Sequence, residues 1–95
     1  MNEAYLVRKI LKYINELDKG KAVKYHGNGF SHNGTPDILA SINGRMFLFE
    51  VKVGKNKPTF LQLLEIEKWR NSGAIAEVVY SLEEVKKIIK KNAGT

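Results

Sequence analysis

The sequence predicts a single α/β domain in which three helices pack against a mixed four-stranded sheet, in the chain order α-β-β-β-α-β-α. Three observations carry this. Val7, Ile10, Ile14 and Leu17 recur at helical spacing near the start of the chain. Asn43-Gly44 stands between two short apolar runs; that dipeptide favours a two-residue hairpin, because both central residues of a type I′ turn need positive φ. Two Ser/Thr-x-x-Glu/Gln boxes, Thr59 to Gln62 and Ser81 to Glu84, open later helices.

The elements follow in order. The first helix runs from Glu3 to about Leu17, with Arg8, Lys9, Lys12 and Glu16 off its apolar stripe, and Asp18-Lys19-Gly20 ends it. Ala22 to Tyr25 is a short strand, and the glycine-rich, polar stretch from His26 to Gly34 reads as a loop. Ile38 to Ile42 and Arg45 to Lys52 are the two arms of the hairpin. After a basic loop from Val53 to Pro58, the second helix extends to about Asn71 and stops at Gly73, with Phe60, Leu64 and Trp69 expected toward the core. Ala76 to Tyr80 is the fourth strand, and Leu82, Val85, Ile88 and Ile89 form the apolar stripe of the last helix.

Composition narrows the function. The 95 residues fit one domain, and 43% hydrophobic residues suffice for a core. Zero cysteines exclude a disulfide scaffold, a zinc finger and a thiol nucleophile. Any metal must therefore sit on oxygen or histidine, and hard oxygen ligands suit magnesium or manganese. A net charge of +6 and a pI near 9.6 favour a polyanionic partner, with nucleic acid the usual one. No apolar run approaches bilayer length, and the N-terminal residues lack a signal-peptide pattern. The expectation is a soluble, cytoplasmic protein with no membrane partner.

The hairpin can be taken literally. A two-residue loop at Asn43-Gly44 pairs Ile42 with Arg45, Leu39 with Leu48, and Asp37 with Glu50. Side chains alternate along a strand, so Leu48, Glu50 and Lys52 share one face, while Phe47, Phe49 and Val51 share the other. Two carboxylates directly across a ladder repel. At ~5 Å and an effective dielectric of about 20 the cost is roughly 3 kcal/mol before screening. A marginal domain does not normally carry that cost for stability alone. A divalent cation between Asp37 and Glu50 reverses its sign. Lys52, one step along the same face, can then orient or deprotonate an attacking water and neutralise charge on a phosphate. The plainer alternative makes Asp37 a turn residue after Pro36, and Glu50 and Lys52 a surface ion pair.

Pro36-Asp37 followed by Glu50-Val51-Lys52 resembles the core of the PD-(D/E)-x-K nuclease superfamily. More narrowly, Gly34-Thr-Pro-Asp37-Ile38, Phe49-Glu50-Val51-Lys52 and Gln62 on the next helix resemble the virus-type replication-repair nuclease (VRR-NUC) domain. The likeness runs from about Glu3 to Val79. It implies a restriction-endonuclease-like core and a phosphodiesterase that uses Mg2+ or Mn2+, in a bacterial or phage-infected cell. Asp37, Glu50 and the Val51 carbonyl would be the metal ligands, Lys52 the catalytic lysine and Gln62 a helper. It also implies an acid from the first helix, for which Glu3 is the candidate by position. Each of the last two has a structural alternative. An acid in a helix's first turn is favoured by the macrodipole, and a capping box uses a glutamine where Gln62 stands.

Other residues divide the same way. Lys55 and Lys57 follow the catalytic strand, where backbone phosphates would pass, or they are ordinary solvated loop residues. His26 and His32 read as solvated loop histidines, and Lys86, Lys87, Lys90 and Lys91 as the wet face of the last helix. Small stand-alone members of the family resemble Holliday-junction resolvases, so the resemblance implies a structure-selective endonuclease acting on branched DNA. Two incisions in a symmetric junction call for a homodimer, whose candidate surfaces are the Phe30 loop and the last helix. The alternatives are a flap or nicking nuclease, and a non-catalytic nucleic-acid-binding module.

Overall fold

A computed structural model describes residues 2–26 and 34–92. The interior of the expected His26 to Gly34 loop, with Phe30 and His32, lies outside the described residues. The chain order is as the sequence predicts: α1 (Glu3–Asn15), β1 (Gly20–Lys24), β2 (Ile38–Ile42), β3 (Arg45–Val51), α2 (Phe60–Asn71), β4 (Ile75–Val79) and α3 (Leu82–Lys91). The sheet order is β1-β2-β3-β4, with β1, β2 and β3 antiparallel in turn and β4 parallel to β3. No helix among the described residues is long and apolar enough to cross a membrane.

The hairpin register is the expected one, with Ile42 opposite Arg45, Leu39 opposite Leu48 and Ile38 opposite Phe49. Asn43 (φ 52°) and Gly44 (φ 79°) both take the left-handed conformation that a type I′ turn requires. This register sends Phe47, Phe49 and Val51 into the larger core, where the two phenylalanine rings stack 6.0 Å apart. Leu6, Val7, Ile10 and Ile14 of α1, with Val85 and Ile89 of α3, close that core from one side. The opposite face carries a much smaller cluster of Leu48, Ile66 and Ala76, joined by Leu39, Trp69, Ala74 and Val78. Two helices thus cover one face and α2 covers the other.

Four local readings need correction. The first helix ends at Asn15, not Leu17, and β1 begins at Gly20, two residues early. The Asn15 amide ties the helix end to the strand: its Oδ1 accepts from Ala22 N at 2.9 Å and its Nδ2 donates to Ala22 O at 3.0 Å, pairing the outer edge of β1 as a strand would, while Gly20 enters the ladder opposite Ile42. Ser81 caps α3 by accepting from Glu84 N at 3.1 Å, but Glu84 Oε1 accepts from Tyr80 N rather than from the cap residue itself. Phe60 and Leu64 do not face the core; both are exposed, and α2 instead buries Glu65 and Ile66 and half-buries Gln62 and Trp69. Beneath the first turn of α2 the sheet offers Glu50 and Lys52, so the inward position there goes to an amide and the apolar side chains turn outward.

Candidate active site

The site gathers where β2 and β3 end and α2 begins. Asp37 lies one residue before β2, and its backbone extends the ladder, with Asp37 O accepting from Tyr25 N at 2.7 Å. Its carboxylate is held as well: Oδ2 accepts from Val51 N at 2.8 Å. Gly34 brings the segment in. With φ at 84°, it lies so close to α2 that an added Cβ would stand 2.7 Å from Leu61 O. A side chain there would push the Gly34-Thr-Pro-Asp37 turn off the helix.

Glu50 sits on β3, on the face that α2 covers, and is only 1% exposed. Lys52, on the same face as the alternation requires, places Nζ 3.4 Å from Glu50 Oε2. Lys52 N donates to Val79 O at 3.0 Å, which continues the parallel pairing past the end of β3. Gln62 donates from Nε2 to Glu50 Oε2 at 3.0 Å. Among the described residues no donor group reaches the other carboxylate oxygen of Glu50, Oε1, which is buried. Burial pushes the Glu50 carboxyl up from 4.5 to about 8; the Asp37 carboxylate beside it acts in the same direction, and Lys52 opposes both.

Gln62 makes the capping contacts and also touches Glu50, so its geometry suits both readings that the sequence left open. Its Oε1 accepts from Thr59 N at 2.8 Å, and Thr59 Oγ1 accepts from Gln62 N at 3.1 Å, so the capping box is complete. The same amide still has its donor free for Glu50. Glu3 heads α1 and is half-buried. Among the described residues no three His, Cys, Asp or Glu side chains gather as a ligand set, so Glu3 does not complete a cluster with Asp37 and Glu50. Lys55 and Lys57 are both exposed in the loop after β3. That loop is pinned by Tyr80, whose hydroxyl donates to Asn56 O at 2.8 Å. Nothing in the spacing of the sequence marks Tyr80 for this task.

The donor set fits a small hard cation. Magnesium is usually held by one or two carboxylates, with water and substrate phosphate filling the remaining positions. Asp37 and Glu50 are two carboxylates, and the unpartnered Oε1 is the kind of buried oxygen that a cation would satisfy.

The strand order and the placement of the three helices define the restriction-endonuclease-like α/β class. A solved VRR_NUC domain is 32% identical, with a TM-score of 0.77 over 95% of this chain and 96% of that chain. The chain belongs to the VRR-NUC family. A VRR_NUC domain protein also superposes with a TM-score of 0.77, covering 95% of this chain and 86% of that one, and at 19% identity shows a shared fold. Hjc of Archaeoglobus fulgidus, a Holliday junction resolvase, matches with a TM-score of 0.57 and 28% identity over 82% of this chain and 67% of its own. No family profile and no curated protein matches the sequence.

Proposed function

We propose that this chain is a divalent-metal-dependent DNA endonuclease that selects branched DNA, such as a four-way junction, by shape. The observation that carries the reading is the buried Glu50 carboxyl with its unpartnered Oε1, set beside Asp37 and Lys52. A small domain gains nothing in stability from a buried, unsatisfied acid next to a second acid. In this reading Asp37, Glu50 and the Val51 carbonyl hold Mg2+ or Mn2+, with Glu3 as an outer candidate. When bound, the cation would supply Lewis-acid polarisation of the phosphate and make the attacking water more acidic. Lys52 orients the attacking water and neutralises charge on the phosphoryl oxygens as the bond to the leaving oxygen breaks. Gln62 keeps Glu50 Oε2 engaged, which leaves Oε1 for the cation. Lys55 and Lys57 meet backbone phosphates.

The net charge of +6 supports a nucleic-acid partner, and the likeness to an archaeal Holliday junction resolvase supports a branched one. A symmetric junction needs two cuts related by a two-fold axis, so the active species in this reading is a homodimer. The test is one gel with a labelled four-way junction, a flap, a duplex and a single strand. The junction should be cut with magnesium or manganese, and left intact in chelator or by Asp37→Asn. Cleavage that persists in chelator would sink the metal, and equal cutting of all four substrates would sink shape selection. If Glu3→Gln keeps activity within tenfold of wild type, Glu3 leaves the ligand set.

A further inference from the structure

The basic charge of the chain is unevenly placed on its helices. α1 carries three bases against one acid and α3 four against two, while α2 carries two of each. Four of the six net positive charges thus lie on the two helices that close the larger core, on the face of the sheet away from α2. Beside them is a groove of about 230 Å³ lined by Lys9, Lys12, Tyr13 and Glu16 of α1 and Leu82 of α3. Lys86 Nζ stands 5.2 Å from the centre of the Tyr13 ring, and Lys90, four residues on, falls on the same side of α3. The neighbouring acids are engaged: Glu16 Oε2 is 2.7 Å from Lys12 Nζ, Glu83 Oε2 is 3.9 Å from Lys86 Nζ, and Glu84 Oε1 accepts from Tyr80 N. Among the described residues no acid pairs with Lys9 or Lys90, and both are exposed.

We propose that the groove between α1 and α3 is a second DNA-binding site, which takes backbone phosphates of a duplex arm other than the one being cut. The groove starts where the site ends. Lys52 N donates to Val79 O at the end of β4, the next residue, Tyr80, pins the loop of Lys55 and Lys57, and Leu82, two residues further on, lines the groove. Yet the two places face opposite ways, because Glu50 lies under α2 and the groove lies on the α1 and α3 side. Duplex DNA is stiff over about 500 Å, and the domain spans 34 Å at most. A straight duplex over the site therefore does not bend round to the groove, whereas a second arm leaving a branch point reaches it. Lysines at i and i+4, about 6 Å apart along the helix, suit a line of phosphates. A lipid surface fits less well: among the described residues Tyr5 is the one large apolar side chain of α1 or α3 exposed for insertion.

The inference rests on the branched-DNA reading and adds the surface by which one chain tells a branch from a straight duplex. The full chain with Lys9→Gln, Lys86→Gln and Lys90→Gln tests it, against a control that removes the same charge elsewhere, Lys19→Gln, Lys21→Gln and Lys68→Gln. Affinity for a four-way junction and for a linear duplex is read by fluorescence anisotropy, with chelator and again with calcium in place of magnesium. The groove variant should bind the junction about tenfold more weakly or worse, with a salt slope smaller by about 2.7 for three lost phosphate contacts, and the duplex within about threefold of wild type. Its magnesium-supported turnover at saturating junction should stay within about twofold of wild type, because none of the three lysines is in the site. Equal losses in the groove variant and the control would assign the effect to net charge and overturn the groove. So would a groove variant that loses junction and duplex affinity alike, or neither; the nuclease reading stands in each of these cases. A wild type that binds neither DNA would overturn both. If the triple variant melts below wild type, Lys9→Gln with Lys90→Gln carries the test, since neither side chain is ion-paired among the described residues, and the salt slope should then fall by about 1.8.

Discussion

Replacing Glu50 by glutamine should stabilise the metal-free protein, and by an amount that depends on pH. The folded Glu50 carboxyl ionises at about 8 and the unfolded one at 4.5. Between those values the folded state holds a proton that the unfolded state has released. Stability therefore falls as pH rises through this window, by about 1.4 kcal/mol per unit, and levels off above the folded value. Over the whole shift the loss is bounded at about 5 kcal/mol, and relaxation around the charge brings it nearer 2–3 kcal/mol. Glutamine keeps the shape and never ionises. Glu50→Gln should thus gain about 2 kcal/mol or more at pH ~8, worth roughly 10 °C in Tm for a domain of this size, and almost nothing near pH 4.5. Trp69, the single tryptophan, packs from α2 against the smaller core and reports unfolding by fluorescence in urea with chelator present. Manganese should reverse the order, stabilising wild type increasingly up to pH ~8 and leaving Glu50→Gln unmoved. A stability gain that is the same at both pH values, or a metal-free wild type that grows more stable across the window, would refute the reasoning.

Three further outcomes are expected. Lys52→Ala should lower turnover at least a hundredfold with little change in DNA affinity, because in the proposed mechanism it acts on charge that develops in the transition state; Lys55→Ala and Lys57→Ala should instead weaken binding and flatten its salt dependence, read by fluorescence anisotropy. Gly34→Ala should cost about 2 kcal/mol or more in urea unfolding, since it combines a left-handed φ with a Cβ placed against Leu61 O, and a loss below half of that would show that the turn moves freely. Gln62→Ala should cost about 1–2 kcal/mol through two lost hydrogen bonds, whereas Gln62→Glu keeps the cap but sets an anion against Glu50, so its metal-free Tm should fall more steeply with pH than that of wild type.

The parts of the fold legible in the sequence are those where two independent constraints agree. The hairpin is one: the Asn43-Gly44 turn fixes its register, and the alternation of Phe47, Phe49 and Val51 with Leu48 and Glu50 fixes its faces. That agreement is why Glu50 and Lys52 could be placed on one face and Asp37 at the end of the ladder. At the start of α2 a single constraint stood alone, and there it failed. Apolar content alone put Phe60 and Leu64 in the core, yet the surface beneath the start of α2 is the polar part of β3. The spacing of hydrophobic residues could not report this, because it records which side chains avoid water and not what lies opposite them.

Gln62 shows the converse. On the sequence the capping role and the site role competed for one side chain, which holds only for a group with one kind of hydrogen-bonding atom. An amide carries an acceptor and donors on separate atoms. Oε1 closes the cap at Thr59 N while Nε2 reaches Glu50 Oε2, so the bond that starts α2 also sets where α2 stands over the site. A glutamate at this position would serve the cap equally well but bring a third carboxylate beside Asp37 and Glu50. The capping rule accepts either residue, and the site explains why this helix begins with the neutral one.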